Sequence, residues 1–324
     1  MAKMNKTVVF ILAAFVALGS GMAYKVIATN PVEKQIVQEA EVIRDTAPQT
    51  VPSTEKKEIE KPVETTTKVE QAATVAETEP KNVPATEGEN KAVLPTLSNE
   101  KLGWYYKPNK EHKLPEVSGQ GKAFLDKYRG IYHGDINGKN LYLTFDEGYE
   151  NGYTPKILDT LKEVDVKAAF FITGDYLKRN PELVKRMVAE GHIVGNHTDH
   201  HPSLPTVDDT RLKKEITSLS DAFTQQTGTN MQYLRPPMGE YSERTLKITH
   251  EMGYRNVFWT VAFADWQPDA GTPESHKNIV KERLHSGAVI LLHAVNKANA
   301  DMLESLIKEC QAEGYQFRSL NEIN

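Results

Sequence analysis

Along the C-terminal two-thirds of the chain, short strand-like apolar runs alternate with segments in which apolar residues recur at helical spacing. Short apolar runs predict buried strands at residues 141–145, 168–173, 192–196, 233–235, 256–262, 288–293 and 317–320. Between them, apolar residues at helical spacing predict helices near residues 157–164, 181–190, 208–226, 242–252 and 298–313. Repeated strand–helix units argue for a mainly parallel sheet, closed as a barrel or open.

The start of the chain has a different pattern. Residues 7–24 contain no charged side chain, Lys3 and Lys6 precede them, and Lys25 follows. Such a run is typical of an export signal or an N-terminal membrane anchor, and its length is near the lower limit for spanning about 30 Å of hydrocarbon. Both alternatives stay open for residues 1–30. Under either one, we expect the rest of the chain to lie outside the cytoplasm, anchored to the membrane or secreted to the cell wall.

Residues 31–100 have the composition of a linker. They contain no aromatic residue, seven prolines, 14 acidic and 8 basic residues. A segment of this kind cannot bury enough apolar surface to offset its loss of conformational entropy on folding. We therefore expect a disordered spacer, followed by a catalytic domain at residues 101–324.

Charge and cysteine content argue against nucleic-acid binding and against chemistry that depends on cysteine. The formal net charge is −5, so no basic surplus points to nucleic acid as a partner. The one cysteine, Cys310, excludes an intramolecular disulfide. It lies on an apolar helical stripe, which indicates a core residue rather than a nucleophile.

Five short motifs carry the candidate chemistry, and several of them directly follow a predicted strand. They are Thr144–Gly148 (TFDEG), His197–His201 (HTDHH), Arg235–Gly239 (RPPMG), Asp265-Trp266 and Leu291–His293 (LLH). In βα barrels the reacting residues lie at the C-terminal ends of strands. Together the motifs supply a carboxylate base, metal-ligand histidines, an arginine and a second histidine, which suits metal-assisted hydrolysis of an amide.

Each motif also has a structural interpretation. His197 and His201 are four residues apart and suit a metal, although isolated pairs of this spacing are usually surface or capping residues, and His200 competes as a ligand. Asp146 beside Glu147 suits a general base next to a metal ligand, or a turn cap.

Arg235 and the His293–Asp265 pair also have both a functional and a structural interpretation. Arg235 suits a bidentate clamp on a carboxylate, and an ordinary salt bridge is the alternative. His293 with Asp265 suits a general acid held protonated, and a satisfied core histidine is the alternative.

As an ordered set, the motifs resemble the polysaccharide deacetylases of the NodB-like carbohydrate esterase family 4, over residues 141–320. The resemblance implies a distorted (β/α) barrel of about seven strands, a divalent metal, usually Zn²⁺, and hydrolysis of N-acetyl groups on sugar polymers. It also implies roles for the matching residues. Asp146 matches the catalytic base, Arg235 the residue that orients it, His293 the general acid and Asp265 its partner. The metal ligands would be His197 and His201, the Met238 amide would stabilise the oxyanion, and Trp266 and Leu291 would form pocket walls.

Three further runs resemble the δ-lactam-biosynthetic branch, the peptidoglycan N-acetylmuramic acid deacetylases. They are GYENGYT at residues 148–154, which includes Tyr149 as a substrate contact, GHIVGNH at 191–197 and VAFADW at 261–266. This branch implies a role in the spore cortex, with peptidoglycan glycan strands as substrate and functional coupling to an amidase that strips the peptide. The chain departs from the general family at Glu147, where the family has Asp; we expect Glu147 to act as the third metal ligand.

Two other functions remain open. One is an N-acetylglucosamine deacetylase acting on peptidoglycan or a chitin-like polymer, because it would use the same site. The other is a non-catalytic glycan-binding module that has lost its metal through Glu147. The presence of Asp146, Arg235, Asp265 and His293 together argues against the second, since a binding module has no need of all four.

Overall fold

The computed structural model describes residues 97–267 and 269–324. The predicted signal or anchor at residues 1–30 lies outside this part of the chain, as does the predicted linker up to residue 96. Within the described residues, no helix is both long enough and apolar enough to cross a membrane.

Strands of two to eight residues make up three sheets in the described part. They are Leu102–Gly103 (β1), Tyr106–Lys107 (β2), Glu116–Val117 (β3), Asn140–Glu147 (β4), Ala169–Ile172 (β5), Ile193–Asn196 (β6), Tyr233–Leu234 (β7), Glu240–Tyr241 (β8), Arg255–Asn256 (β9), Ala288–His293 (β10) and Gln316–Phe317 (β11). β1 pairs antiparallel with β8, and β2 pairs antiparallel with β3.

The main sheet has seven strands, all parallel, in the order β10-β4-β5-β6-β7-β9, with β11 also paired to β4. Beyond its edge, Val261 forms an isolated parallel bridge with Ile290 of β10. The result is a curled parallel half-barrel with helices, which confirms the expected βα architecture and strand number. Because the strands are parallel, their C-terminal ends lie at the same rim.

Helices follow most strands of this sheet. They are Gly119–Lys127 (α1), Thr154–Glu163 (α2), Gly174–Arg179 (α3), Pro181–Ala189 (α4), Asp209–Thr227 (α5), Glu243–Glu251 (α6), Pro273–Arg283 (α7) and Lys297–Ala312 (α8). Ser242 caps α6 through a reciprocal pair of hydrogen bonds with Thr245, and Gly228 ends α5 with a φ of 72°. The end of α5 and the start of α6 agree with the predicted helix bounds, because capping depends on local residue types.

Alternate residues of β4 face two different environments. Leu141, Leu143 and Phe145 pack with the helices in the larger core. Tyr142 points the other way, into a smaller core inside the curl that also holds Phe171. Thr144 and Asp146 share that inner face further along the strand, since side chains alternate along a strand. Thr144 and Asp146 thus lie at the rim, next to the apolar residues of the smaller core.

The structure corrects two predicted strands. The predicted strand at residues 256–262 is wrong over most of its length, because the chain crosses there from one side of the curl to the other. Val257 donates its N–H to Leu234 O of β7, while Val261 bridges Ile290 of β10. The last predicted strand, 317–320, ends at Phe317, and Leu320 begins a short 3-10 turn. Elsewhere, Cys310 is buried in α8, as expected of a core residue, and burial raises the pKa of its thiol to about 12.

Candidate active site

Asp146 and Arg235 form a buried ion pair at the rim. Arg235 Nη1 lies 2.7 Å from Asp146 Oδ1, Nη2 donates to Thr144 Oγ1 at 2.9 Å, and Nε donates to Val257 O at 3.1 Å. The guanidinium also lies over the Phe171 ring, 4.1 Å from its centroid. Burial alone would raise the pKa of Asp146, but the charge of Arg235, with His197 and His293, holds it below its ordinary value. Asp146 is therefore an ionised carboxylate.

His197 and His201 converge on one point beside that carboxylate. Their Nε2 atoms are 3.1 Å apart, and His197 Nε2 lies 3.6 Å from Asp146 Oδ2. His197 Nδ1 lies 2.7 Å from Arg235 O, a carbonyl that only accepts, so Nδ1 carries the proton and Nε2 has a free lone pair. Burial lowers the pKa of His197 to about 4. Burial also lowers the pKa of His201, so both rings are neutral near pH 7.

A strained turn holds the two histidines together. Thr198 and His201 have φ values of 68° and 57°, a region that non-glycine residues rarely adopt. The buried carboxylate of Glu215 accepts the N–H of His200 at 2.7 Å and lies 3.2 Å from its Nδ1. His200 is therefore directed away from the pair, so it does not compete as a ligand in this geometry.

The histidine pair fits a divalent metal. The Nε2 atoms of His197 and His201 lie 3.1 Å apart, so a proton or a cation must lie between them, and neutral imidazole is a favoured zinc ligand. His197 and His201 would hold the metal. Within residues 97–267 and 269–324, no cluster of three or more histidine, cysteine or acidic side chains is assembled to hold one.

Glu147 lies away from this pair, which corrects its prediction as the third ligand. It follows Asp146 in β4, and successive side chains of a strand point to opposite faces. Its buried carboxylate lies 3.4 Å from Thr154 Oγ1 in α2. Burial, with the negative charge of Glu150, raises the pKa of Glu147 well above its ordinary value. In this structure Glu147 is a buried carboxyl group among the helices.

His293 ends β10 next to Asp265. Its Nδ1 lies 2.7 Å from Asp265 Oδ1, and its N–H donates to Asp265 Oδ2 at 2.8 Å. Burial lowers the pKa of His293, but the hydrogen bond and charge of Asp265 outweigh it and leave the pKa raised. Asp265 is fully buried behind the ring. The pair therefore favours an imidazolium whose Nε2 is free to donate.

A cavity of about 820 Å³ joins these groups at the rim. Asp146, His197, His201 and His293 line it, while Arg235 and Asp265 lie behind the lining. The predicted substrate contacts also line it: Tyr149, Met238, Trp266 and Leu291. The first three are about half exposed, and Leu291 is buried.

The cavity wall at Met238 is held by a segment near residue 100. Met238 has a φ of 58°, and Trp104 donates its backbone N–H to the next residue, Gly239, at 2.8 Å. The Trp104 indole N–H donates to Trp259 O at 2.8 Å, and Trp259 lines the cavity. Neither Trp259 nor this role of Trp104 is predicted by the sequence. No periodicity marks either residue, so only the three-dimensional contacts identify them.

The sequence is similar to those of known polysaccharide deacetylases. The sequence profile of the family described as "Polysaccharide deacetylase" matches residues 133–257. The chain is 42% identical over 235 residues to the peptidoglycan-N-acetylmuramic acid deacetylase PdaA of Bacillus subtilis, covering 72% of this chain and 89% of that protein. It is 33% identical over 202 residues to a peptidoglycan-N-acetylglucosamine deacetylase of Bacillus cereus, covering 61% of this chain and 73% of that one.

A solved structure extends the comparison to the fold. The structure of Bacillus subtilis PdaA, described as a family 4 carbohydrate esterase, superposes with a TM-score of 0.68 at 41% sequence identity. The match covers 70% of this chain and 98% of that one. The likeness therefore extends over nearly all of the known structure.

Proposed function

The chain belongs to the polysaccharide deacetylases of carbohydrate esterase family 4, hydrolases of amide bonds, and we propose that it removes the N-acetyl group of N-acetylmuramic acid in peptidoglycan. One observation carries the catalytic part: an ionised Asp146 and a proton-bearing His293 line the same cavity as the converging imidazoles of His197 and His201. The 42% identity to the muramic acid deacetylase supports the choice of sugar.

Asp146 acts first, as the general base. Its charge is secured by Arg235, so it accepts a proton from the water that attacks the acetyl carbonyl carbon. Arg235 fixes the orientation of the carboxylate, because its other donors are bound to Thr144 and Val257. The attack forms a tetrahedral intermediate with a negative oxygen, which the backbone N–H of Met238 stabilises.

His293 completes the reaction as the general acid. It donates its Nε2 proton to the amide nitrogen as the C–N bond breaks, which yields acetate and a free amine on the sugar. Asp265 holds the ring through Nδ1 and favours the protonated form. Trp266 contacts the His293 ring edge-on at 5.1 Å between centroids and forms the adjoining wall.

A divalent metal, Zn²⁺ by the nature of the donors, completes the proposed site. Held by His197 and His201, it would supply Lewis-acid polarisation of the acetyl carbonyl and the attacking water. The protein contributes the orientation of both imidazoles, since Arg235 O fixes the tautomer of His197.

The cellular role follows from the product. A free amine on muramic acid lies next to the lactyl carboxylate, and the two close to a δ-lactam once the peptide has been stripped. We therefore propose action on peptidoglycan in the spore cortex, after a peptide-stripping amidase. The uncharged segment at residues 7–24 supports export, with the domain anchored to the membrane or released to the wall.

The test is acetate release from glycan strands stripped of peptide, with the purified chain and its metal content recorded. Mass spectrometry then identifies which sugar has lost its acetyl group. Loss from muramic acid supports the proposal. Loss only from glucosamine residues would favour the alternative, a peptidoglycan or chitin-like N-acetylglucosamine deacetylase, to which the 33% identity lends some support. No release from any glycan with Zn²⁺ supplied would favour a glycan-binding module.

A further inference from the structure

We propose that Asn299 and His276 are positioning residues for the Asp265–His293 pair. They form a line of buried hydrogen bonds that runs from α7 through α8 to the rim of the cavity. The inference rests on the proposed role of His293, and it adds two residues to which the mechanism above assigns nothing.

The side-chain amide of Asn299 uses its hydrogen-bonding capacity within the line. Its Nδ2 donates to Asp265 Oδ2 at 2.5 Å and to His293 O at 2.9 Å, and its Oδ1 lies 2.7 Å from His276 Nδ1. Asp265 Oδ2 is a carboxylate oxygen and accepts only, so the nitrogen of the amide must face it. Oδ1 therefore faces His276, which must donate from Nδ1.

His276 is locked in one tautomer by this arrangement. Its side chain is fully buried in α7, and the Phe263 ring packs against it edge-on with centroids 4.8 Å apart. Its Nε2 has no hydrogen-bond partner among the described residues. Keeping a polar atom buried without a partner carries a cost, which the bond from Nδ1 to Asn299 offsets. His276 therefore orients the side-chain amide of Asn299 through its Nδ1–H.

Asp265 needs such support because its charge has little other compensation. It is fully buried, and among the described residues its one ion pair is with His293. Three donors hold the carboxylate: the N–H and Nδ1 of His293, and Nδ2 of Asn299. Removing Asn299 leaves Oδ2 with one donor, and the carboxylate becomes free to rotate. His293 then loses the fixed direction of its Nε2 proton.

The experiment compares Asn299→Leu with a matched control, Asn256→Leu. Asn256 is another buried asparagine, and it bonds Thr249 Oγ1 at 2.7 Å away from the cavity. We expect Asn299→Leu to lower kcat by about 10- to 100-fold, the range found for residues that hydrogen-bond to metal-ligating side chains, with KM within about twofold of the wild type. We expect Asn256→Leu to lower the melting temperature without this selective loss of kcat.

Two variants of His276 test the same line of hydrogen bonds independently of Asn299→Leu. His276→Leu deletes the donor to Asn299, whereas His276→Asn replaces it, because the amide nitrogen of asparagine occupies the place of Nδ1. We expect a lower kcat for His276→Leu and recovery of most of it for His276→Asn. The low-field proton resonance of the His293 Nδ1–H should shift or vanish in Asn299→Leu and His276→Leu and persist in His276→Asn.

Two outcomes would overturn the inference. One is a folded Asn299→Leu or His276→Leu protein with wild-type kcat and an unchanged low-field resonance. The other is an equal loss of kcat in Asn256→Leu at the same melting temperature, which would make the effect one of general stability. His293→Ala is measured first, on the wild-type background. If it keeps full activity, the proposed function fails at His293, whatever the Asn299 variants show.

Discussion

Asp146 and Glu147 are neighbours in the chain, yet their carboxylates lie on opposite faces of β4. Asp146 contacts Arg235 in the curl, and Glu147 contacts Thr154 among the helices. The charge states differ accordingly, because the pKa of Asp146 is lowered and that of Glu147 is raised. The two adjacent acids therefore lie in environments that shift their pKa values in opposite directions.

Replacing Glu147 with Gln should leave activity and metal content nearly unchanged. The amide copies the neutral acid in shape. A carboxyl group whose folded pKa exceeds its unfolded one stabilises the fold fully at low pH and loses that contribution as pH rises through the folded pKa. Glu147→Gln should therefore melt higher at pH 7, by about 2–4 °C for each kcal/mol recovered. Elemental analysis and thermal melts at pH 5 and 7 test this, and loss of the metal would restore the third-ligand hypothesis.

Replacing Asp146 with Asn should abolish most turnover with the fold intact. We expect kcat to fall by about 10²–10⁴-fold, because Asn cannot accept the proton of the attacking water. The buried Arg235 loses its counter-charge, so stability should fall by up to about 3 kcal/mol. Steady-state acetate release and urea unfolding measure the two effects. Asp126→Asn, at an exposed pair with Lys122, is the control and should change neither. Wild-type acetate release from Asp146→Asn would reject the assignment of the base.

Removing the metal should stop acetate release without unfolding the domain. His197 and His201 are neutral near pH 7 and their turn is held by Glu215, so the site should survive chelation. Activity should return on addition of Zn²⁺. His201→Ala should bind less metal than the wild type, whereas His250→Ala, on α6, should bind the same amount. Full activity of the chelated protein would contradict a metal-dependent mechanism.

The pH profile of kcat should be broad, with its limits set by Asp146 and His293. Activity requires ionised Asp146, whose pKa is lowered, and protonated His293, whose pKa is raised. The rate should rise as pH passes upward through the first pKa and fall as it passes upward through the second. Asp265→Asn removes the charge that raises the pKa of His293, so its alkaline limb should move to lower pH. An unmoved limb would show that another group sets it.

Trp104 should affect turnover although it lies outside the cavity lining. Trp104→Phe keeps a ring near Tyr132 and Phe258 but loses the donor to Trp259 O. We expect a stability loss of about 1 kcal/mol and a kcat lowered several-fold, because the wall at Met238 and Gly239 relaxes. Phe258→Leu, in the same cluster, is the control for packing alone. A wild-type kcat in Trp104→Phe would show that the hydrogen bond from Trp104 to Trp259 O does not contribute to turnover.

The sequence predicts the larger elements well and the contacts between them poorly. α4, α5, α6, α8 and β10 lie within one residue of their predicted bounds, because periodicity and caps such as Ser242 are local signals. The motifs at Asp146, His197 and His293 lie together, as expected of parallel strand ends. The side to which Glu147 points depends on β4 reaching residue 147, two residues beyond its predicted end. Asn299 and His276 act through tertiary contacts that no spacing encodes.

The short pairing of β1 with β8 should make the cavity wall at Met238 less stable toward local opening than the main sheet. It joins Leu102 to Tyr241 and Gly103 to Glu240, so two residues on each side close a loop of well over a hundred residues. Short strand pairs at the edge of a fold open locally at far lower free energy than the core sheet. The amide protons of Leu102 and Trp104 should therefore exchange with solvent much faster than those of β4. Each such opening would break the hydrogen bond from Trp104 N–H to Gly239 O, which holds the cavity wall beside Met238.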